Sequence, residues 1–294
     1  MEKFLQQLFN GVSLGSIYAL IALGYTMVYG IINLINFAHG DIYMLGAFIG
    51  FAMTALFHMS FIPALIISMA ACSLIGVVIE KVAYKPIRNS TRIAALITAI
   101  SVSLFLEYGT MYFVSAETRT FPEVLKGKQI SLFSGKVLLN TKDVYIIVIT
   151  VLLMIFLQYI IYKTKVGKAM RAVSTDREAA QLMGINVDAT ISYTFAIGSA
   201  LAGAAGVLVG VYYNSIDPLM GVLPGLKAFV AAVIGGIGVI PGAVFGGIFL
   251  GLTETMVSAY GNSLYKDAVA FAILIIILVI KPNGLLGKNV KEKV

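Results

Sequence analysis

The stretch YALIALGYTMVYGIINLINFAHGDIYMLGA, residues 18–47, decides the fold. Two apolar runs flank NLINFAHGD (Asn33–Asp41), which carries two asparagines, a histidine, a glycine and an aspartate. The first run reaches back to residue 8, long enough at 1.5 Å per residue to cross a bilayer. The polar segment is either an ordinary connection that starts the next helix or part of the place where the protein works.

The rest of the chain repeats the pattern. Of 294 residues, 59% are hydrophobic and 12% charged, and the mean hydropathy is +0.94. A soluble domain carries about a quarter charged residues, so this chain lacks the charge to cover a water-facing surface. Apolar spans lie at 8–30, 41–57, 61–83, 93–115, 142–162, 190–213 and 266–280, and a glycine-rich apolar region at 226–258 precedes the last. Barrel strands would show about ten residues of alternation. That alternation is absent, and lipid tolerates no unpaired backbone, so the spans are helices. Ser60 and Pro63 mark the start of the third. The sequence predicts an all-α polytopic membrane protein forming one transmembrane domain over 1–294. About seven full helices and a Gly/Pro-broken helical hairpin make 8–9 apolar segments.

The region 226–258 is long enough for one tilted span, but Gly235, Gly236, Gly238, Pro241 and Gly242 interrupt it. Two half-length helices joined by a tight turn fit better. A re-entrant hairpin and two short crossings both satisfy the sequence, and either returns the chain to the same side. Broken helices at membrane depth belong where they are buried or line a cavity. Spacings such as Gly11-x-x-x-Gly15 and Gly247-x-x-x-Gly251 allow close helix packing.

The net charge is +7. Thirteen of the 21 basic residues fall after the third span, after the fifth and in the tail, segments that can share one side. That side is assigned to the cytoplasm. The C-terminus is then inside, the N-terminus outside, and NLINFAHGD sits toward the inner end of the first two spans. The opening MEKFLQQLFNG reads as mature sequence, not as a removed signal peptide. The outer loop 116–141 contains KQISLFSGKVLLN, which suits either a small β-hairpin turning at Ser134-Gly135 or an irregular loop. The basic residues form no aromatic-interleaved surface for nucleic acid. Cys72 is the single cysteine, so no disulfide and no cysteine metal site is expected.

No catalytic set is visible, and neither a cofactor nor a metal is expected. A P-loop needs G-x-x-x-x-G-K-[ST]. Gly167-Lys168 has Tyr162 at the first glycine position and Ala169 after it, and Gly287-Lys288 has Pro282 there. Glu107 lies deep in the fourth span, and an intramembrane carboxylate is a functional candidate. A structural, hydrogen-bonded glutamate is the other reading. Between the fifth and sixth spans, GKAMRAVSTDREAAQLMGINVD (167–188) predicts a short, partly apolar helix in a basic loop, 163–190. Its small residues suit a docking surface. A helix lying on the membrane has the same composition.

Glu178-Ala179-Ala180 followed by Gly184 reads E-A-A-x-x-x-G and resembles the coupling motif of bacterial ABC importer permeases. A more specific resemblance, to the branched-chain amino acid permeases of the Liv H type, runs through 18–47, 171–187 and 227–254, and covers essentially the whole chain. Val239 stands where such permeases often have a small polar residue, so no polar role is carried to it. The resemblance implies an ABC importer permease fold in a bacterial inner membrane. It also implies a second permease subunit (a related heteromer favoured over a homodimer), two cytoplasmic ATPase subunits and an extracytoplasmic binding protein. Arg171, Asp176, Glu178, Ala179 and Gly184 would lie in the helix that docks on the ATPase. The segment Asn33–Asp41, with Asn36, Phe37, His39 and Gly40, and the 235–242 turn would lie near the translocation pathway. The substrate expected is leucine, isoleucine or valine. An amide or urea permease of the same class and an ion-coupled amino-acid carrier are the rival readings.

Overall fold

The computed structural model describes residues 2–287 apart from Asn33, Ile35, Asn89, Lys126, Lys128 and 133–136. Asn33 and the Ser134-Gly135 turn therefore lie outside the described residues. The helices are α1 (Glu2–Ile32), α2 (His39–Ala55), α3 (Phe61–Ile79), α4 (Lys85–Ile87), α5 (Arg92–Phe113), α6 (Thr141–Lys163), α7 (Lys165–Thr175), α8 (Arg177–Leu182), α9 (Val187–Tyr213), α10 (Val222–Gly235), α11 (Ile240–Tyr260) and α12 (Lys266–Ile280). A π-helical turn, Glu80–Tyr84, continues α3 into α4. Short strands β1 (Arg119–Thr120) and β4 (Ser215–Ile216) pair antiparallel, as do β2 (Gln129–Leu132) and β3 (Val137–Asn140).

Among the described residues, seven helices are long and apolar enough to cross a membrane, so the chain is a multi-pass membrane protein. The set is not the one drawn from the sequence. α2 has only 17 residues, whereas α11, read as half-length, has 21. The misreading came from counting Pro241 and Gly242 as breakers, whereas they open a continuous helix in which Gly246, Gly247 and Gly251 pack as their spacing suggests. Gly242 faces Gly235 of α10, while Gly247 and Gly251 face α1. A Cβ at Gly247 would lie 2.5 Å from Ala19 Cα, and one at Gly15 would lie 2.7 Å from Ile248 Cα. With those surfaces α1 seats closely on α11. Gly247→Ala is expected to lower the thermal stability of the purified protein by about 1–3 kcal/mol, measured by its melting temperature in detergent. A melt equal to the native one would mean that α1 and α11 do not pack this closely.

α1 and α9 form the centre, with α9 packed on α2 and α3 and α1 on α10 and α11. Both are largely buried, and α5, α6 and α12 are mostly exposed around them. The arrangement repeats. α1, α2, α3 and α9, α10, α11 each read long helix, connection, short helix, long helix. α11 meets α1 as α3 meets α9, and α10 packs on α1 as α2 packs on α9. The two triplets run in opposite senses, an inverted repeat.

One end of the bundle carries the basic connections. There Glu80, fully buried, accepts from Arg88 at 2.6 Å and from Ser192 at 2.7 Å. Arg88 also pairs with Asp188 at 2.5 Å. These bonds fasten the end of α3 to the start of α9. The opposite end carries β1–β4 and Lys142, which bonds Asn214 (3.2 Å) and Glu123 (3.0 Å).

Candidate functional site

Helix α2 does not start at the bundle's end, where the sequence placed NLINFAHGD. Its first residue, His39, lies against Gly24, eight residues before the end of α1, about 12 Å inside. The Tyr25 and His39 rings meet edge-to-face with centroids 4.8 Å apart. Gly24 is what admits the imidazole, since a Cβ there would collide with the ring. Gly40 then meets the start of α10, where a Cβ at Gly221 would lie 2.6 Å from Gly40 O and 3.1 Å from an Asp41 carboxylate oxygen. α2 proceeds toward the strand end, where Phe51 touches Phe121. α10 proceeds toward the basic end, where Leu285 N donates to Ile234 O at 2.8 Å. Two short helices thus diverge from N-termini that meet inside the bundle. Neither N-cap residue, Ala38 or Gly221, makes a side-chain capping bond.

The polar side chains of 36–41 are buried. Tyr84 Oη donates to Asn36 Oδ1 at 2.7 Å, while Asn36 Nδ2, His39 Nε2 and Asp41 Oδ2 have no hydrogen-bond partner. Asp41 is in the first turn of α2, as a helix-start residue should be, but its carboxyl lines a cavity of about 280 Å³. Phe37, Ser103 and Glu107 line it too, with the first turn of α10. The structure therefore brings together Asp41 and Glu107, which are 66 positions apart in the chain. Asn36 and His39 lie behind them against Tyr84 and Tyr25.

The loop 163–190 holds two helices where the sequence suggested one. Thr164 caps α7 by accepting from Gly167 N at 3.1 Å, and Asp176, in extended conformation, caps α8 by accepting from Ala179 N at 2.9 Å. Gly184 ends α8 with φ +81°. Ile185 N reaches Ala180 O and Gly184 N reaches Gln181 O, both at 3.0 Å, a Schellman closure. Arg171 is exposed but its guanidinium turns back toward α6. Its guanidinium donates to Ile161 O and lies over the Tyr162 ring. Glu178, Ala179 and Gly184 are exposed, beside Leu182 and Met183, which are 88% and 82% exposed.

At the broken helix, Gly236 (φ +104°) and Gly238 (φ +87°) make the turn. Gly235 and Gly242 are helical and face each other, and Pro241 opens α11. A cavity of about 370 Å³ is lined by this turn, by Met27 and Gly30 of α1 and by Met170 and Arg171 of α7.

Two functional candidates went unread in the sequence. Arg177 donates from α8 to Ile31 O at 2.7 Å, tying the exposed loop to the last turn of α1, just before the polar segment. Burial and the neighbouring Arg88 lower its pKa from the usual arginine value, but arginine keeps its charge regardless. Lys227 is a buried cation in α10, paired with Glu254 at 2.9 Å and Asp267 at 2.7 Å, while Tyr18 donates to Glu254 at 3.0 Å. A lysine inside LKAFVAAVIGG was signal enough.

Broken helices starting at depth, an inverted repeat and an exposed loop helix tied to the core define a membrane transport protein. The family model for the permease component of branched-chain amino acid transport systems matches residues 7–278. The chain belongs to that family. It is 46% identical to the high-affinity branched-chain amino acid transport system permease protein LivH of Salmonella typhimurium, with 99% of this chain and 98% of that protein covered. The permease protein BraD of Pseudomonas aeruginosa is 43% identical over the same shares. Among solved structures, PsaBC from Streptococcus pneumoniae has the same fold, at TM-score 0.51 and 14% identity, over 95% of this chain and 92% of that one.

Proposed function

We propose that this chain is the permease subunit of an ATP-driven importer that carries branched-chain amino acids across a bacterial inner membrane. The full-length family match carries the reading. The geometry supplies a route for the driving force. A cytoplasmic ATPase engages the exposed face of α8 at Glu178, Ala179, Leu182, Met183 and Gly184. Arg177 transmits the displacement to the end of α1, and α7, which packs on α1, carries it along the same helix. Both connections lead to a helix that borders the polar segment. The permease itself performs no chemistry. Two ATPase subunits supply the energy, a binding protein delivers substrate outside, and a related second permease completes the pathway.

The test is labelled-leucine uptake by the reconstituted complex with its binding protein. Accumulation only with ATP supports the proposal. Uptake driven by an ion gradient without ATP, or uptake of urea in place of leucine, overturns it.

This reading places the strand end outside and α8 inside. The single cysteine, Cys72, is buried, so introduced cysteines report without background. Thr118→Cys should react with an impermeant maleimide on intact cells, and Ser174→Cys only after permeabilisation. The reverse pattern would invert the topology.

A further inference from the structure

The Asp41–Glu107 pair lacks a counter-charge. Asp41 and Glu107 are 2% and 7% exposed, and their carboxyls interact across the cavity, with Ser103 beside Asp41. Among the described residues neither has a lysine or arginine partner, and Asp41 faces only Ser103 and Glu107, with Oδ2 outside good hydrogen-bond geometry. Buried acids elsewhere in this protein are satisfied: Glu80 by Arg88, and Glu254 by Lys227. Two apposed carboxyls without a cation are costly at membrane depth. A fold that keeps them against a cavity of 280 Å³ has left room for a cation that comes and goes.

Resting on the proposed function, we infer that Asp41 and Glu107 form the site that takes the α-ammonium group of the amino acid in transit. The other walls match the rest of an aliphatic zwitterion. The uncapped start of α10, at Gly221 and Val222, lines the same cavity and presents the positive end of a helix to a carboxylate. Phe37, Ile100, Leu104 and Leu226 supply an apolar wall for a branched side chain. Ile100, Ser103, Leu104 and Glu107 follow at helical spacing, so one stripe of α5 borders the cavity, with Glu107 buried and Ile100 and Leu104 exposed at its mouth. The two carboxyls are on different helices, α2 and α5, so an ammonium held between them joins the two helices. Its departure frees them.

The test uses the whole complex, with Asp41→Asn and Glu107→Gln, which keep side-chain shape. Both variants should assemble and melt at or above the native temperature, because each relieves repulsion. Leucine uptake should fall about ten- to a hundredfold, the loss of one charge-assisted contact. In detergent without binding protein, millimolar leucine and 3-methylbutylamine should raise the native melting temperature, 4-methylpentanoate should not, and the variants should show neither rise. A lower melt or failed assembly in the variants assigns the pair a structural role and overturns the inference. So does stabilisation by sodium equal to that by the amine at matched ionic strength, which marks an inorganic cation site. Unaltered leucine uptake by both variants overturns it while the proposed function stands. If the native complex itself imports no branched-chain amino acid, it is the proposed function that falls.

Discussion

Gly184→Leu should abolish coupling while leaving the bundle intact. Gly184 holds φ +81° and closes α8, and a Cβ there would meet nothing within 4 Å. The substitution therefore has two effects of different size. Left-handed backbone costs a non-glycine residue about 1–2 kcal/mol, confined to a loop outside the spans. The larger effect is steric. A leucine side chain at this position projects into open space beside Leu182 and Met183, where the proposed ATPase surface must fit. A few central residues carry most of an interface's energy, and a branched side chain among them holds the partners apart. We expect leucine uptake to drop by about tenfold or more, with the permease still expressed and melting near the native temperature. Co-purification with the ATPase subunit should weaken in parallel. Native uptake together with native co-purification would show that α8 is not the docking surface. Gly184→Ala separates the two effects, since it keeps the backbone strain and adds only a methyl group.

The second large effect is on stability. Lys227→Met should destabilise the protein by about 3–5 kcal/mol, the cost of breaking a buried pair from one side. Lys227 and Glu254 side chains are 6% and 3% exposed, so Glu254 would be left buried with only Tyr18 as a partner. The Asp267 arm contributes less, because that carboxylate is 36% exposed and water screens it. The triple variant Lys227→Met, Glu254→Gln, Asp267→Asn removes all three charges, and it should recover most of the loss. Melting temperatures of the purified variants decide the matter. A single variant as stable as the native protein, or a triple variant no better than the single one, would show that the network does not hold α1, α10, α11 and α12 together.

The helical spans were legible because apolar length is a local property. Six of the seven apolar spans drawn from the sequence fall within two or three residues of a helix boundary at their C-terminal sides or better, as at 266–280. Two features were hidden for opposite reasons. Glycine is ambiguous in a membrane helix, as a breaker and as a packing surface. At Gly236 and Gly238 the backbone turns, whereas Gly242, read with them as part of the break, lies inside α11 against Gly235, and only the partner distinguishes them. Depth is not written locally either. The run after NLINFAHGD is nearly span length, so nothing in it shows that α2 starts inside the bundle beside Gly24. In the candidate site, Asp41 and Glu107 could each be singled out as polar groups in apolar surroundings, but their meeting depends on how α5 lies against α2. Arg177 looked like one more basic loop residue until its bond to Ile31 O placed it.

The inverted repeat has an energetic consequence. Two triplets with one plan and opposite senses are near-equivalent solutions to the same packing problem. If each takes up the tilt its counterpart now holds, the molecule arrives at a second arrangement with its accessible side exchanged and much the same kinds of contact. States so related differ little in free energy, and a small bias is enough to choose between them. Burying a few side chains at one surface helix supplies a bias of that order. The cost of moving a solute uphill then falls on the cycle of partner binding and release, and little of it on deforming the bundle.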